Sequence, residues 1–245
     1  ARLRLMAGPL RTKHREAIGR MLSLAEPSAG AAVSAADAGE YKVLILDRFS
    51  RDLISPLIKL NELRSHGVTL HLMIDADRQA IPDVPAVYFV QPTPENVRRI
   101  ARDLGAGLYE TAHLHFTSTL PRPLLEELAT ECVKAEAVGR VAKVHDQYTE
   151  FVTLEPTMFS LGQRNAYVRL NDPAAKDQDV EAAVAGVVSG LFCMLSTLGV
   201  VPVIRCPKGG AAEMVASELD ARLRDHLHAR SNLFTEGAAA AAGGV

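Results

Sequence analysis

The stretch PRPLLEELATECVKAEAVGRVAKVHDQY, residues 121–148, lies between two strand-like runs at residues 108–117 and 151–154. A helical segment between two strands is typical of a βαβ crossover, which connects parallel strands of one sheet. The segment has more apolar residues than one buried helix face requires. One set recurs at helical spacing and can face a sheet, namely Leu124, Leu128, Cys132 and Ala135.

A second apolar set in the same stretch has no place on that buried face. Its members are Leu125, Ala129, Val141 and Val144, with Leu128 at the border between the two sets. A partly exposed apolar patch on a folded domain often marks a docking site for another chain. The alternative is that a neighbouring helix covers the patch, and the residues alone leave both readings open.

Three apolar runs before this stretch also predict strands, at residues 42–47 (KVLILD), 68–75 (VTLHLMID) and 86–91 (AVYFVQ). The first is almost continuously apolar, which is typical of a parallel strand covered on both faces. Residues 108–117 and 151–154 complete a set of five strands separated by helical segments. We therefore predict an α/β fold with a five-stranded, mostly parallel, doubly wound sheet of the Rossmann-like type.

Proline and capping residues predict where two helices of this region begin and break. Residues 51–66 have helical periodicity, but Pro56 lies inside them and should break or kink the helix near Ser55. Thr93 followed by Pro94 predicts an N-cap and a first helical position.

The sequence pattern changes after residue 155, and residues 155–236 predict part of a second α/β domain. The predicted elements are a strand at 166–170, a buried helix at 179–198, a strand at 200–206 and an amphipathic helix at 211–227. Two strands and two helices are too few for an independent core. We therefore expect this domain to be incomplete in the chain.

The two ends of the chain are expected to lie outside these domains. Residues 10–24 predict a basic amphipathic helix on the surface, a pattern that a mitochondrial presequence also shows, and residues 27–40 predict a linker. The predicted organisation is then a helix and linker at 1–40, a first domain at 41–154, part of a second domain at 155–236 and a disordered tail at 237–245.

Composition excludes several partners and compartments. The chain has 245 residues and a net charge of −2, so no nucleic-acid partner is expected. Three separated cysteines, Cys132, Cys193 and Cys206, are typical of free thiols in a reducing compartment. No run of eighteen apolar residues is present in the sequence, so no membrane-spanning helix and no direct membrane insertion are predicted.

The rival hypothesis is a nucleotide- or phosphate-binding α/β enzyme, because such sheets often bind nucleotides. The first strand is not followed by a glycine-rich phosphate turn. Lys208, Gly209 and Gly210 open a predicted helix, where backbone amides could hold an anion, but the Lys-Ser/Thr of a phosphate loop is missing.

Candidate ligands for a metal are few and have simpler interpretations. Asp47 and Asp75 end predicted strands, where they more commonly cap loops or pair with Arg48 and Arg78. His113 and His115 alternate on one strand and share a face, but no further ligand at fixed spacing completes a site. We predict no catalytic constellation, no metal and no cofactor.

Long motifs in this chain resemble one protein family. They are KVLILDRFSRDLISPL (42–57), GVTLHLMIDADRQAIPDVPAVYFVQPTPENV (67–97), VAKVHDQYTEFVTLE (141–155), RCPKGGAAEMVASELDARLR (205–224) and SNLF (231–234). They closely resemble the SM family, the Sec/Munc syntaxin-binding regulators of SNARE-mediated membrane fusion, and within it the Sly branch that acts between endoplasmic reticulum (ER) and Golgi. Members of that family are much longer, so we expect an N-terminal fragment or a truncated gene model.

The resemblance implies a partner and a site. In that branch the first domain binds the N-terminal peptide of a Golgi syntaxin of the syntaxin-five type, with a Phe in an apolar pocket. The pocket pattern is Leu-x-x-Leu-Ala on a helix, followed about three turns later by two branched residues three apart. The matching residues are Leu125, Leu128, Ala129, Val141 and Val144, and the candidate polar rim is Arg122, Glu126 and Lys143.

The resemblance also implies the wider role of the family. Its members regulate vesicle fusion without catalysis or cofactors and, at full length, are candidates to bind the assembled SNARE complex. The location implied is the cytoplasm, with peripheral association to ER and Golgi membranes through SNAREs.

Overall fold

The computed structural model describes residues 10–24, 41–228 and 234 of the chain. The chain divides into two compact units, one formed by Arg15–Gln147 and the other by Ala1–His14 together with Tyr148–Val245. The division after Gln147 lies seven residues before the boundary expected at 154. The predicted linker at 27–40 and the predicted tail at 237–245 lie outside the described residues.

The Arg15–Gln147 unit is built on a five-stranded parallel sheet in the order β2-β1-β3-β4-β5. Its strands are β1 Lys42–Leu46, β2 Val68–Met73, β3 Ala86–Val90, β4 Ala112–Phe116 and β5 Val141–Asp146. The three central strands β1, β3 and β4 are buried at every position, as the almost continuously apolar run of β1 predicts for a strand covered on both faces. The predicted α/β fold class is confirmed.

The identity of the fifth strand corrects the sequence prediction. Residues 151–154 do not join this sheet, because Val152–Glu155 (β6) pairs with Met158–Ser160 (β7) in a separate antiparallel hairpin. The helix that follows β4 ends at Lys134, and Glu136 has a left-handed backbone with φ of 53°. The chain therefore turns early, and the β-branched residues after it form the edge strand.

The helices of this unit begin and end at the predicted signals. Helix α2 (Arg48–Ile54) ends at Ser55, and Pro56 lies in the turn before α3 (Leu60–Ser65), so the break near Ser55 is confirmed. Helix α4 (Pro94–Ala106) starts with the Thr93 hydroxyl accepting from the Asn96 amide at 3.3 Å, as the Thr-Pro pair predicts. It ends at Gly107, which has φ of 65°. This left-handed conformation favours glycine because glycine has no Cβ.

One face of the sheet and two helices enclose the main core of this unit. Helix α4 packs beside α5 (Arg122–Lys134), the crossover between β4 and β5. Their inward residues contact the sheet face that carries Tyr88, Leu114 and Phe116, all fully buried. Burial of large side chains at about 1.5–3 kcal/mol each makes this layer a main source of the unit's stability.

The first helix, α1 (Leu10–Leu22), is less superficial than predicted. Ile18 and Leu22, which belong to the sheet unit, are fully buried. The carbonyl oxygen of Leu22 accepts a hydrogen bond of 2.8 Å from the Lys42 ammonium, itself 1% exposed. This part of α1 is a component of the unit's core and not a free surface helix.

The other unit contains helices α6 (Ala166–Asn171), α7 (Asp177–Leu198) and α8 (Gly210–His228) with the β6–β7 hairpin. Its core joins α7 to α8 and includes Val184, Val188, Phe192, Leu195, Leu219, Leu223 and Phe234. The strand predicted at 166–170 is wrong, since those residues form α6.

The strand predicted at 200–206 is also wrong, because those residues form no regular structure. A strand needs a neighbour to satisfy its backbone, and within the described part of the chain none pairs with this segment. Its Val203 is 86% exposed.

Helix α7 is the one helix in the described ranges that is long and apolar enough to cross a membrane by length and composition. Three of its residues, Val188, Phe192 and Cys193, are fully buried within its own unit. Seven of its 22 residues are buried, so packing in this unit accounts for part of its apolar character.

Candidate functional site

Helix α5 divides its apolar residues between the core and the surface. Leu128 and Cys132 are each 3% exposed and belong to the core on the sheet. Leu125 is 43% exposed, and Ala129, one turn later, is also exposed. The helix therefore buries one stripe and presents a second, narrower apolar stripe alongside it.

Strand β5 carries the other two predicted residues, and a bulge sets their direction. Residues three apart on a regular strand face opposite sides of the sheet. Here the register shifts so that Val141 lies opposite Ala112 and Val144 lies opposite Leu114, with Ala142 as the extra residue. Because Ala112 and Leu114 are two apart, Val141 and Val144 share the sheet face that α5 covers.

The five predicted pocket residues thus lie on two adjoining elements, α5 and β5. We call Leu125, Leu128, Ala129, Val141 and Val144 the α5–β5 patch. Val141 is half-buried and packs on the core cluster that contains Leu128, while Val144 is 39% exposed. The patch therefore has a buried floor at Leu128 and exposed apolar sides at Leu125 and Val144.

The helical spacing expected between the two halves of the pattern is wrong. Val141 and Val144 lie on a strand and not three turns along a helix. Leu128 also belongs to the core, so it supports the patch from below and its side chain is hardly accessible.

The sequence reading missed Val133, which is 64% exposed on α5. It follows Ala129 by four residues and so extends the Leu125–Ala129 stripe. The signal was present in the sequence as an i, i+4, i+8 series of apolar residues.

The structure brings together two of the three candidate rim residues. Arg122 Nε donates to Glu126 Oε1 at 2.9 Å on the first turns of α5, and both side chains are more than half exposed. Such exposed ion pairs contribute little to stability and can be rearranged by a ligand. Lys143 lies opposite His113 in the β4–β5 register, so it faces away from the patch.

The carboxylates at the strand ends act in structural roles. Asp47 is 8% exposed and accepts three hydrogen bonds, from the amides of Ser50 and Gln91 at 2.8 Å each and from Asn96 Nδ2 at 2.9 Å. Its oxygens are occupied, so it caps α2 and ties β1 to the loop after β3. Asp75 pairs with Arg48 at 3.4 Å.

Arg78 pairs with Asp103 and not with Asp75. The guanidinium lies 2.9 Å from the Asp103 carboxylate, which also accepts a hydrogen bond of 2.9 Å from the Tyr88 hydroxyl. Burial raises the pKa of the Asp103 carboxyl and the charge of Arg78 opposes that change. This buried group anchors the loop after β2 to β3 and α4.

A cleft of about 490 Å³ lies at the carboxyl ends of β1 and β3, where sheets of this kind hold ligands. Its charged lining residues are already paired. Arg99 contacts Glu95 at 2.7 Å, and Arg48 contacts Asp75. The cleft therefore presents few uncompensated charges to a phosphate or a metal.

The two histidines on β4 share a face of the sheet, as predicted, and both are buried. His115 stacks on His145 with 5.4 Å between ring centroids. Its Nδ1 lies 2.6 Å from Gln147 Nε2. Burial, followed by the neighbouring His145, lowers the pKa of His115 to about 3. Within residues 10–24, 41–228 and 234, no group of three or more His, Cys, Asp or Glu side chains could hold a metal ion.

The glycine turn before α8 is also occupied by the protein itself. The Gly209 amide donates to the Glu213 carboxylate at 2.6 Å. A carboxylate from the first turn of the helix thus takes the position at which an anion would have to bind.

Comparison with known proteins identifies the family. The model of the Sec1 family matches residues 42–242. The SEC1 family transport protein SLY1 of Arabidopsis thaliana is 55% identical over 232 residues, and the protein of the same name in Oryza sativa subsp. japonica is 51% identical over 243 residues. These matches cover 95% and 96% of this chain, which spans only 37% and 39% of the two relatives.

A solved structure agrees with the sequence comparison. Sly1p, crystallised in complex with an N-terminal peptide of Sed5p, superposes with a TM-score of 0.84 and 38% identity. The match covers 91% of this chain and 40% of Sly1p. The chain therefore belongs to the Sec1 family, in its Sly branch.

Proposed function

We propose that this chain is the peptide-binding part of a SNARE-binding regulator of vesicle fusion in ER–Golgi transport. Its partner is the N-terminal peptide of a Golgi syntaxin of the syntaxin-five type. The binding site is the α5–β5 patch, with Arg122 and Glu126 at its rim. The proposal includes no catalysis and no cofactor.

The single observation that carries the proposal is the similarity to Sly1p, which was solved with an N-terminal peptide bound. Sly1p was crystallised with an N-terminal peptide of Sed5p, and it resembles this chain over most of the chain's length. The resemblance noted in the sequence points to the same five patch residues.

The physical character of the patch supports an apolar anchor. Leu125 and Val144 are 43% and 39% exposed and stand on either side of a buried leucine. Burying a Phe side chain between them yields about 1.5–3 kcal/mol, which suffices for a hot spot in a short flexible peptide. The exposed Arg122–Glu126 pair can exchange its partners for polar groups of the peptide.

The wider role is proposed by analogy with the relatives, of which this chain spans 37% and 39%. We propose that it stays in the cytoplasm and associates peripherally with ER and Golgi membranes through SNAREs. Contact with an assembled SNARE complex is proposed for the full-length protein as well.

The test uses charge substitutions on the exposed part of the patch. Leu125→Asp and Val144→Asp each introduce a carboxylate that the bound peptide would remove from water without a partner. Peptide affinity should therefore fall by at least about 100-fold in a fluorescence titration. Leu128 is unsuitable for this purpose because a charge there would disrupt the core.

The matched control is Leu70→Asp on β2, the strand at the opposite end of the sheet order. Leu70 is 45% exposed, close to the value for Leu125, so both substitutions cost little stability. Unchanged affinity for Leu125→Asp and Val144→Asp, in variants with native circular dichroism, would remove the patch from the proposal.

A further inference from the structure

Two hydroxyl side chains in the sequence stand directly before a proline, Ser55 before Pro56 and Thr93 before Pro94. Ser/Thr-Pro is the dipeptide that proline-directed protein kinases modify, and both copies lie in the sheet unit. Their surroundings differ in exposure, hydrogen bonding and charge. The structure therefore distinguishes between two sites that the sequence makes equivalent.

Ser55 is exposed in the turn between α2 and α3, and the proline that follows it is exposed as well. Its Oγ donates a hydrogen bond of 2.7 Å to the carbonyl oxygen of Arg51. A hydroxyl that acts as a donor keeps its oxygen lone pairs available, and a lone pair is what attacks phosphorus in phosphoryl transfer. The Ser55 oxygen is thus placed to act as a nucleophile.

The turn that carries Ser55 is suited to local opening. It joins two short helices of seven and six residues, which depend on packing for their stability. Leu57 and Ile58 are buried and donate their amides to the Ile54 carbonyl oxygen, so a kinase has to break these contacts first. The residue before a proline favours extended backbone, the form in which kinases bind their substrates, so Pro56 assists this opening.

The side chains around Ser55 include two cations. Arg51 precedes it by one helical turn on the same face of α2, and Lys59 follows it at the start of α3. Arg51 pairs with Asp52 at 2.8 Å, but these side chains are 51% and 55% exposed, so a stronger anion can replace the carboxylate. A phosphate carries a charge between about −1.5 and −2 and three acceptor oxygens, which suit guanidinium and ammonium donors.

Thr93 differs in burial, bonding and charge. Its side chain is half-buried, and its oxygen accepts a hydrogen bond of 3.3 Å from the Asn96 amide at the start of α4. Glu95 is two residues away, and the buried Asp47 carboxylate accepts hydrogen bonds from Gln91 and Asn96, which flank Thr93 in the chain. These negative charges oppose a phosphate. The backbone of Thr93 is already extended, with φ of −107° and ψ of 150°, which makes it a stringent control.

We propose that Ser55 is a phosphorylation site for a proline-directed protein kinase and that Thr93 is not. In the reaction the Ser55 oxygen forms a bond to the γ-phosphorus of ATP, and the bond between that phosphorus and the bridging oxygen of the departing ADP breaks. The hydroxyl proton passes to a base of the kinase, so the products are phosphoserine and ADP. This inference is independent of the peptide site and places a reversible charge on the sheet unit.

The test treats the whole folded chain with ATP, Mg²⁺ and a cyclin-dependent kinase or, separately, a mitogen-activated kinase. Tandem mass spectrometry locates the phosphate. Ser55 should be modified at least about tenfold faster than Thr93, because opening its turn costs less. Ser55→Ala should abolish this modification and Pro56→Ala should slow it about tenfold. Thr93→Ser, which keeps the helix cap, should leave the Ser55 rate unchanged.

Synthetic peptides separate the effect of the fold from that of the local sequence. In peptides of residues 49–61 and 87–99 the rate at Thr93 should rise relative to that at Ser55, since the helix cap and the Asp47 carboxylate are absent. A rate at Thr93 equal to or above that at Ser55 in the folded chain would overturn the assignment. Absence of phosphate on Ser55 with both kinases would overturn it as well, whether or not the 49–61 peptide is modified.

Discussion

At the scale of single residues, the polar groups at the strand ends stabilise the sheet unit. Asp47 is buried, and its two oxygens accept hydrogen bonds from α2, the loop after β3 and α4. The sequence alone suggested that this residue caps a loop or pairs with an arginine, and the structure shows it as the N-cap of α2. The sequence could not show the bonds to Gln91 and Asn96, which depend on the tertiary arrangement.

Removing this carboxylate should be costly. Asp47→Ala leaves buried donors without a partner, so we expect the free energy of unfolding to fall by about 3 kcal/mol. Urea denaturation followed by circular dichroism measures it. Asp75→Ala is the control, because its pair with Arg48 is exposed and should cost less than about 1 kcal/mol. Equal effects of the two substitutions would contradict the role of Asp47.

His115 should make the sheet unit sensitive to acid. Burial and the neighbouring His145 lower its pKa to about 3 from 6.5, so between these values the unfolded chain binds the proton and the folded chain does not. The contribution of neutral His115 to stability is therefore complete above pH 6.5. As the pH falls below that value, the free energy of unfolding decreases by about 1.4 kcal/mol per pH unit.

The corresponding experiment compares unfolding at pH 7.5 and pH 5.0. The loss of stability between these conditions should be about 2 kcal/mol smaller in His115→Asn than in the parent chain. His71→Asn, at an exposed position on β2, is the control and should leave the loss unchanged. An identical loss in all three proteins would exclude His115 as the titrating group.

At the scale of elements, sequence signals worked where they were local. The break at Pro56 and the start of α4 at Thr93 follow from backbone sterics and capping, which depend on neighbours in the chain. Strand β5 was missed because its six residues follow a helix without a strong turn signal, and a bulge hides its period of two. The strand expected at 200–206 failed because pairing depends on a partner that no local pattern reveals.

The end of α4 and the start of β5 meet at Gly107. A Cβ built there would lie 2.5 Å from Nη1 of Arg140, the residue just before β5. The same Nη1 donates a hydrogen bond of 2.8 Å to the Leu104 carbonyl oxygen. Because φ is also positive, Gly107→Ala should cost about 1–2 kcal/mol in thermal or urea unfolding.

The matched control is Gly139→Ala, next to Arg140. A Cβ at Gly139 meets no atom within 4 Å, and its backbone lies in a helical turn. That substitution should be neutral or stabilise by up to about 1 kcal/mol. A cost at Gly139 as large as that at Gly107 would contradict the assignment.

At the scale of the whole molecule, each of the two units has a buried thiol. Cys132 lies in the sheet unit and Cys193 in the other, and both are buried, while Cys206 is exposed. Burial raises the pKa of Cys193 to about 12 and also raises that of Cys132, which disfavours their reactive thiolates. A thiol reagent should therefore label Cys206 quickly. It should label Cys132 and Cys193 only when their units unfold.

Peptide binding should protect the thiol of the unit that holds the site. At a peptide concentration 100 times Kd, linkage adds about 2.7 kcal/mol, so labelling of Cys132 through unfolding should slow by about 100-fold. Mass spectrometry of Cys206→Ser protein measures this rate. An unchanged Cys132 rate under saturating peptide would mean that the ligand does not bind the sheet unit.

How much of the site was predictable differs between its parts. The apolar excess in residues 121–148 showed that a patch should exist, and the family motifs supplied its membership and partner. The physical pattern alone could not decide between a docking site and a helix-covered surface, since it contains no information about neighbours. The exposed fractions of Leu125 and Val144 now provide that information for the described residues.

The most direct test of the central claim is a titration of this chain with a fluorescent N-terminal Golgi-syntaxin peptide, beside the same peptide with its Phe changed to Ala. We predict saturable binding that the Ala peptide loses, since burial of the Phe on the α5–β5 patch supplies about 1.5–3 kcal/mol. Equal binding of both peptides would contradict the patch as the anchor site. Binding of neither, by a chain with native circular dichroism, would contradict the proposed function.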